Sequence, residues 1–154
     1  MYLSRRLFIK VGLGALAAFM AGFGILRGLR SDWPKAAFNA HDVDAALQAL
    51  LGVTLNDLTL SDKIKLTIPK VVENGAIVPL SVDAGLEGVE SISLFAAKNP
   101  HALTSSYMIP AGTLPYVATR IKMEKTADVI VVVKANGKFY STSKRVKVAV
   151  GGCA

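Results

Sequence analysis

The stretch from residue 128 to residue 150 reads DVIVVVKANGKFYSTSKRVKVAV and decides the fold. Its first part, residues 128–134, is a β-branched run, and its second part, residues 138–150, alternates apolar with polar side chains. Asn136-Gly137 between them is the dipeptide that tight hairpin turns prefer, because both residues tolerate positive φ. The stretch therefore predicts a β-hairpin that ends in a long strand.

Earlier segments carry further strand signals. Ile64, Leu66 and Ile68 alternate with polar residues, which is the period of a half-buried strand. Asn74-Gly75 predicts a turn before the next strand. The remaining predicted strands lie at residues 76–82, 91–97, 104–109 and 117–123. About seven short strands at this spacing predict an all-β fold, an immunoglobulin-like antiparallel β-sandwich.

One helix is predicted ahead of the strands, at residues 41–51. Its apolar residues recur at helical spacing, acidic Asp42 and Asp44 occupy its first turn, and Gly52 follows its end. We expect residues 31–40 to form a linker and residues 41–150 to form one domain, since about 120 residues suffice for a single core. Residues 151–154 are expected to form a flexible arm.

The first thirty residues resemble an export signal. Adjacent arginines, Arg5 and Arg6, precede an apolar run at residues 11–26 that is rich in glycine and alanine. This run is shorter than the roughly 20 strongly apolar residues of a stable membrane span. A basic region followed by such a run predicts a twin-arginine signal in residues 1–30, export to the periplasm, and no stable membrane insertion after cleavage. The alternative is an uncleaved N-terminal anchor.

The positive charge of the chain is concentrated in this segment. The chain has 18 basic and 11 acidic residues, a net charge of +7. Five of the basic residues and none of the acidic ones lie in the first thirty positions, which leaves 13 basic against 11 acidic residues and a net charge of +2. The high pI is therefore poor evidence for nucleic-acid binding, and no nucleic-acid partner is expected.

The single cysteine, Cys153, follows Gly151 and Gly152. It has no partner for an intramolecular disulfide, and two glycines before it leave the backbone free to move. Val146, Val148 and Val150 are predicted to anchor the preceding strand in the core, which would fix where the arm begins. This pattern predicts a covalent carrier, a reactive sulfur on a short tether. The alternative is an incidental cysteine on a frayed end.

The sequence resembles the SoxY family of sulfur-carrying proteins over nearly its whole length. The motifs that carry the resemblance, besides the paired arginines, are Ala37-Phe38-Asn39-Ala40, Glu73-Asn74-Gly75-Ala76, Thr119-Arg120-Ile121-Lys122-Met123, Gly137-Lys138-Phe139-Tyr140-Ser141, Val146-Lys147-Val148 and Gly151-Gly152-Cys153. The resemblance implies a carrier without an active site or cofactor of its own, whose terminal thiol holds sulfur intermediates. Family members usually continue with glycine after the cysteine, whereas this chain has Ala154, which puts acceptance by standard partners in doubt.

The same resemblance implies the partners. These are a SoxZ-like subunit that completes a heterodimer, c-type cytochromes that couple thiosulfate to the thiol, a dimanganese hydrolase that releases sulfate, and a sulfur dehydrogenase. Near the thiol, Lys144, Arg145 and Lys147 could stabilise anionic adducts, although they could equally form a solvated strand face.

Other candidate residues have simpler explanations. His41 and His101 are far apart in sequence, without cysteine or carboxylate at metal-ligand spacing, so a helix start and a loop are expected. Met108 and Met123 lie in predicted strands and are expected in the core. Two further classes of function stay open: a periplasmic interaction module whose cysteine is incidental, and a thiol-dependent enzyme or metal chaperone, for which one thiol is a weak metal site.

Overall fold

The computed structural model describes residues 33–149. Two short helices come first, α1 at Lys35–Asn39 and α2 at Val43–Leu51, followed by a 3-10 turn at Leu55–Asp57. The strands are β1 Thr59–Leu60, β2 Ile64–Thr67, β3 Val71–Val72, β4 Val78–Ala84, β5 Val89–Ala96, β6 Leu103–Met108, β7 Tyr116–Ile121, β8 Ala127–Ala135 and β9 Lys138–Val148. No helix among the described residues has the length and apolar character needed to cross a membrane.

The strands form two sheets that face each other. The larger sheet has the order β1-β9-β8-β5-β6, with β3 also paired to β9, and the smaller has the order β2-β4-β7. All pairs are antiparallel except those of β1 and β3, which run parallel to β9 along the edge that β8 leaves open. The predicted immunoglobulin-like β-sandwich is confirmed, and the two short parallel strands are an addition that the sequence did not indicate.

Two apolar clusters follow from strand alternation. The main core lies between the sheets, where one face of β8 contributes Val129, Val131 and Val133, all fully buried. The opposite face of the larger sheet is covered by the two helices, which bury Leu47 of α2 against Phe95 and Val132. Residues 33–149 thus form three layers, helices on sheet on sheet, with the larger sheet in the middle.

The predicted hairpin is present and its turn has the expected geometry. Asn136 and Gly137 have φ values of 50° and 71°, the pair of left-handed residues that a two-residue turn of type I′ needs. The Asn136 side chain donates to the carbonyl of Glu87 at 3.0 Å, which ties the turn to the loop before β5. The turn therefore fixes the register of β9 from its first residue.

The helical region differs in part from the prediction. The predicted helix begins at Val43, and Asp42 caps it by accepting a hydrogen bond from the backbone N–H of Ala45 at 2.8 Å. Helix α1 lies within the stretch expected to be a linker, and its Ala37 is fully buried beneath it. This stretch forms a helix because Ala37 and half-buried Phe38 pack on the larger sheet.

Candidate functional site: the root of the C-terminal arm

Strand β9 is held on both sides at its end. Val146 is fully buried and pairs with Ala127, the first residue of β8. Beyond this point β9 is bonded on its other side to β3 and the residue before it. The backbone N–H of Lys147 donates to the carbonyl of Lys70 at 2.8 Å, and that of Ala149 donates to the carbonyl of Val72 at 2.9 Å. We call residues 146–149 the arm root. The chain is thus held by backbone hydrogen bonds up to the last described residue.

A threonine side chain continues the support on the β8 side. The hydroxyl of Thr126 accepts a hydrogen bond from the backbone N–H of Val148 at 3.0 Å and lies 3.4 Å from the Val148 carbonyl. Thr126 directly precedes β8, so this hydroxyl extends the contact between β8 and β9 beyond the end of β8. The arm root is therefore held by main-chain bonds from β3 and by a side chain from the β7–β8 loop.

Gly75 packs against the arm root. The turn predicted at Asn74-Gly75 is present before β4, but the φ of Gly75 is outside the left-handed region, so backbone conformation does not require glycine there. A Cβ at this position would lie 2.1 Å from the backbone oxygen of Met123 and 3.1 Å from a methyl group of Val148. The Gly75 carbonyl also accepts a hydrogen bond from the Met123 N–H at 2.7 Å. Glycine stands here because two backbones approach too closely for any side chain.

The structure places Lys144 on the opposite face of β9 from Arg145 and Lys147, the other two residues of the predicted basic cluster. Lys144 donates its ammonium to the carbonyl of Leu66 at 2.6 Å, on the side of the smaller sheet. Arg145 pairs with Asp128 at 3.2 Å, and both side chains are exposed. Lys147 alone of the three has no side-chain hydrogen bond or ion pair to another described residue, and it lies in the arm root. Only Lys147 is therefore uncommitted.

The predicted carrier residues fall beyond the described part of the chain. Val150, Gly151, Gly152 and Cys153 all lie outside it, as do Arg5 and Arg6 of the predicted export signal. Within residues 33–149 no group of three or more histidine, cysteine, aspartate or glutamate side chains has the geometry to hold a metal ion.

The two histidines meet in space, although they are 60 positions apart in sequence. The rings of His41 and His101 stack with centroids 5.6 Å apart and planes 22° apart. The Nδ1 atom of His41 also lies 2.6 Å from the carbonyl of Pro100. The pair joins the start of α2 to the β5–β6 loop. Sequence reasoning treated the histidines separately, because stacking between two loops leaves no pattern in the sequence.

Two carboxyl groups are held in their charged form. A hydrogen bond from Lys134 and another from the backbone N–H of Gly137 lower the pKa of Glu90 below its ordinary value. The Lys134 ammonium lies 2.6 Å from the Glu90 carboxylate. The backbone and hydroxyl hydrogen bonds of Thr54 lower the pKa of Asp57 in the same way. Both groups brace turns of the scaffold and lie away from the arm root in the sequence.

Comparison with known proteins agrees with the β-sandwich fold and with the family that the sequence resembles. The family model for the sulfur oxidation protein SoxY matches residues 47–153. The structure of the sulfur carrier protein SoxY from Chlorobium limicola f thiosulfatophilum is 34% identical, has a TM-score of 0.61, and covers 70% of this chain and 96% of its own. A superoxide reductase (neelaredoxin) from Ignicoccus hospitalis has a TM-score of 0.55 at 14% identity, covers 61% of this chain and 97% of its own, and supports the fold alone. No curated protein matched.

Proposed function

Because the chain belongs to the SoxY family of sulfur oxidation proteins, we propose that it holds thiosulfate-derived intermediates covalently on Cys153 and presents them to partner enzymes. The observation that carries this proposal is the extent of the family match, which runs through the two glycines to residue 153. In this account the protein is a substrate carrier rather than an enzyme, and the chemistry is done by its partners.

The arm root supports this function mechanically. Ala149 is hydrogen-bonded to Val72, and Cys153 follows it by four residues. Four residues extend at most about 14 Å, at roughly 3.3–3.6 Å each. A short tether on a fixed base confines the thiol to a small volume, which raises its effective concentration at a partner docked nearby. Gly151 and Gly152 leave the two positions before the thiol without side chains, so this end of the tether can enter a narrow channel.

The proposed chemistry requires only the cysteine thiol that the tether carries. A cysteine thiolate attacks or accepts sulfur through S–S bonds, and an ordinary thiol has a pKa of about 8.5. Of the three basic residues, Lys147 is the one placed to stabilise an anionic adduct, since Lys144 and Arg145 are already bonded within the scaffold. An exposed cation contributes little in water, so this effect would matter chiefly when a partner covers the arm.

The family also indicates the setting in which the carrier works. Membership implies Sox-system partner proteins, of which we propose a SoxZ-like subunit as the stable one. The enzymes that would act on the arm are c-type cytochromes, a dimanganese hydrolase and a sulfur dehydrogenase. We place the protein in the periplasm, exported through the twin-arginine signal that Arg5 and Arg6 suggest.

The test is turnover of thiosulfate by the reconstituted partner enzymes with wild-type carrier and with Cys153→Ser. We expect the substitution to abolish turnover without shifting the urea midpoint, since the cysteine lies four residues beyond the arm root. Turnover that persists in Cys153→Ser would overturn the proposal and leave an interaction module with an incidental cysteine.

A second variant controls for the mere presence of a thiol. Ser143 is exposed on the rigid part of β9, so Ser143→Cys in the Cys153→Ser background gives an accessible thiol without the glycine tether. We expect this double variant to react with thiol reagents and yet to leave turnover at the level of Cys153→Ser. Restored turnover would show that the tether is dispensable.

A further inference from the structure

The pairing between β8 and β9 stops two residues before β9 ends. Ala127, the first residue of β8, pairs with Val146. No residue of β8 therefore faces Val148, the last residue of β9. In an antiparallel pair the N–H and the C=O of one residue point to the same side of the strand, and neighbouring residues point to opposite sides. Ala149 donates its N–H toward β3, so the adjacent Val148 directs both of its backbone groups toward β8.

The hydroxyl of Thr126 takes the place of the missing residue of β8. It accepts a hydrogen bond from the Val148 N–H at 3.0 Å, and its O–H faces the carbonyl of the same residue at 3.4 Å. One hydroxyl can serve both groups because it is a donor and an acceptor at once. Within residues 33–149, Thr126 is the only residue whose side chain hydrogen-bonds to the backbone of the arm root.

The other side of the arm root is held by β3, which has only two residues. Among the described strands β3 pairs with β9 alone, and its Val71 side chain is 59% exposed. A strand with one neighbour and few buried contacts has little local stability of its own, so it holds the arm root only while β9 is itself held in place. Beyond Val146, the Thr126 hydroxyl is the hydrogen-bonding group that ties β9 to the β8 side.

We propose that Thr126 is a positioning residue for the carrier arm, because its hydroxyl fixes the point at which the tether to Cys153 begins. This inference rests on the proposed carrier function. With the hydroxyl in place the tether begins at Ala149, and its four residues reach at most about 14 Å. If the arm root is released, the last held residue is the buried Val146, and seven residues then reach up to about 25 Å.

A longer tether lowers the effective concentration of the thiol at a docked partner. This concentration falls roughly as the −3/2 power of tether length, so growth from four to seven residues lowers it about twofold. The surface that docks on the partner is unchanged, so the loss falls on kcat and not on the carrier concentration that gives half-maximal rate. A variant that is only partly folded behaves differently, since more of it is needed to reach an unchanged maximal rate.

The structural half of the test is amide hydrogen exchange followed by NMR. Thr126→Val removes the hydroxyl and keeps the shape of the side chain, whereas Thr126→Ser keeps the hydroxyl. We expect Thr126→Val to speed exchange at Val148 and Ala149 by roughly two- to tenfold, which corresponds to one hydrogen bond, and Thr126→Ser to stay close to wild type. Thr104→Val is the matched control, because it removes a hydroxyl bonded to the Leu94 carbonyl at 2.9 Å. It should leave both amides of the arm root unchanged.

The functional half is turnover of thiosulfate by the reconstituted partner enzymes, measured over a range of carrier concentrations. We expect Thr126→Val to lower kcat about twofold with an unchanged half-maximal carrier concentration. Thr126→Ser should restore the wild-type kcat, and Thr104→Val should not lower it.

Three results would overturn the inference, and each has a different meaning. Unchanged exchange at Val148 in Thr126→Val would mean that the hydroxyl does not hold the arm root. Faster exchange with an unchanged kcat, in an assay that Cys153→Ser abolishes, would leave the carrier function standing and remove the positioning role. Turnover that persists in Cys153→Ser would refute the carrier function and the positioning role with it, whereas the exchange rates would still report the hydrogen bond.

Discussion

Gly75→Ala should destabilise the arm root strongly. The new Cβ would lie 2.1 Å from the Met123 oxygen, whereas real Cβ contacts stay above 3.0 Å, so one backbone must move by about 0.9 Å. That movement would stretch the 2.7 Å bond between the Met123 N–H and the Gly75 carbonyl beyond hydrogen-bonding distance. Met123 is fully buried, so its N–H would be left without a partner.

The magnitude follows from two contributions. Overpacking typically costs about 1–3 kcal/mol, and an unpaired buried N–H costs about 1–3 kcal/mol more. Reduced entropy of the unfolded chain offsets about 0.4–1 kcal/mol of this. We therefore expect a loss of about 2–5 kcal/mol from a total that is typically about 5–15 kcal/mol.

The assay is equilibrium urea unfolding followed by circular dichroism, with Gly112→Ala as the matched control. Gly112 has a φ of 83° and a Cβ there would meet nothing within 4 Å, so the control carries only the left-handed penalty of about 1–2 kcal/mol. A Gly75→Ala variant no less stable than Gly112→Ala would refute the close-approach argument for this glycine.

Three further expectations concern stability. Ser105→Ala should leave the urea midpoint unchanged or raise it, because the buried Ser105 hydroxyl has no hydrogen-bond partner among the described residues. Ser106→Ala should lose about 1 kcal/mol of stability with its hydrogen bond to Ser93, and a larger loss in Ser105→Ala than in Ser106→Ala would contradict these hydrogen-bond assignments. The lowered pKa of Glu90 contributes stability above the ordinary glutamate pKa of about 4.3, and this stability is lost as the pH falls through that value and then through the lower folded-state pKa. We therefore expect the urea midpoint of Glu90→Gln to fall less between about pH 6 and pH 3.5 than that of the wild type. An equally steep fall in both proteins would argue against the ion pair. Lys144→Met should cost about 1 kcal/mol of stability by leaving the Leu66 carbonyl without the lysine, whereas Lys147→Met should leave the thermal unfolding temperature unchanged. Equal effects of the two substitutions would mean that the two lysines have the same role.

Strands with strong local signals were predictable from the sequence. The hairpin of β8 and β9 carries its own turn residues and its own alternation, so Asn136 and Gly137 have the φ values that the dipeptide suggested. The burial of β2 alternates as predicted, with Ile64 and Leu66 inside. These features depend on neighbours along the chain, which is the information that periodicity contains.

Features that depend on distant neighbours were not predictable. Met123 is fully buried as expected, but the expectation for Met108 was wrong, since 77% of this side chain is exposed. Met108 ends β6, an edge strand, and no pattern within β6 reveals that it lies at an edge. Helix α1 is too short to show a helical period, and it forms because Ala37 is buried against the sheet.

The candidate site likewise has features that were predictable from the sequence and features that were not. Alternation placed Val146 in the core correctly, with Val148 half-buried beside it. Proximity in sequence suggested that Lys144, Arg145 and Lys147 act together. Successive residues of a strand point to opposite faces, so Lys144 lies on the other face of β9 from Arg145 and Lys147. Lys144 and Arg145 are bonded within the scaffold, whereas Lys147 has no side-chain partner among the described residues. The support of the arm root by β3 and Thr126 comes from segments more than twenty residues away, so it left no local signal.

The most direct test of the central claim is the intact mass of the protein purified natively from cells grown on thiosulfate, measured with and without reductant. The account predicts additions of sulfur or of a thiosulfonate group that reductant removes and that are absent from Cys153→Ser. An unmodified thiol in wild-type protein under these conditions would contradict the carrier function.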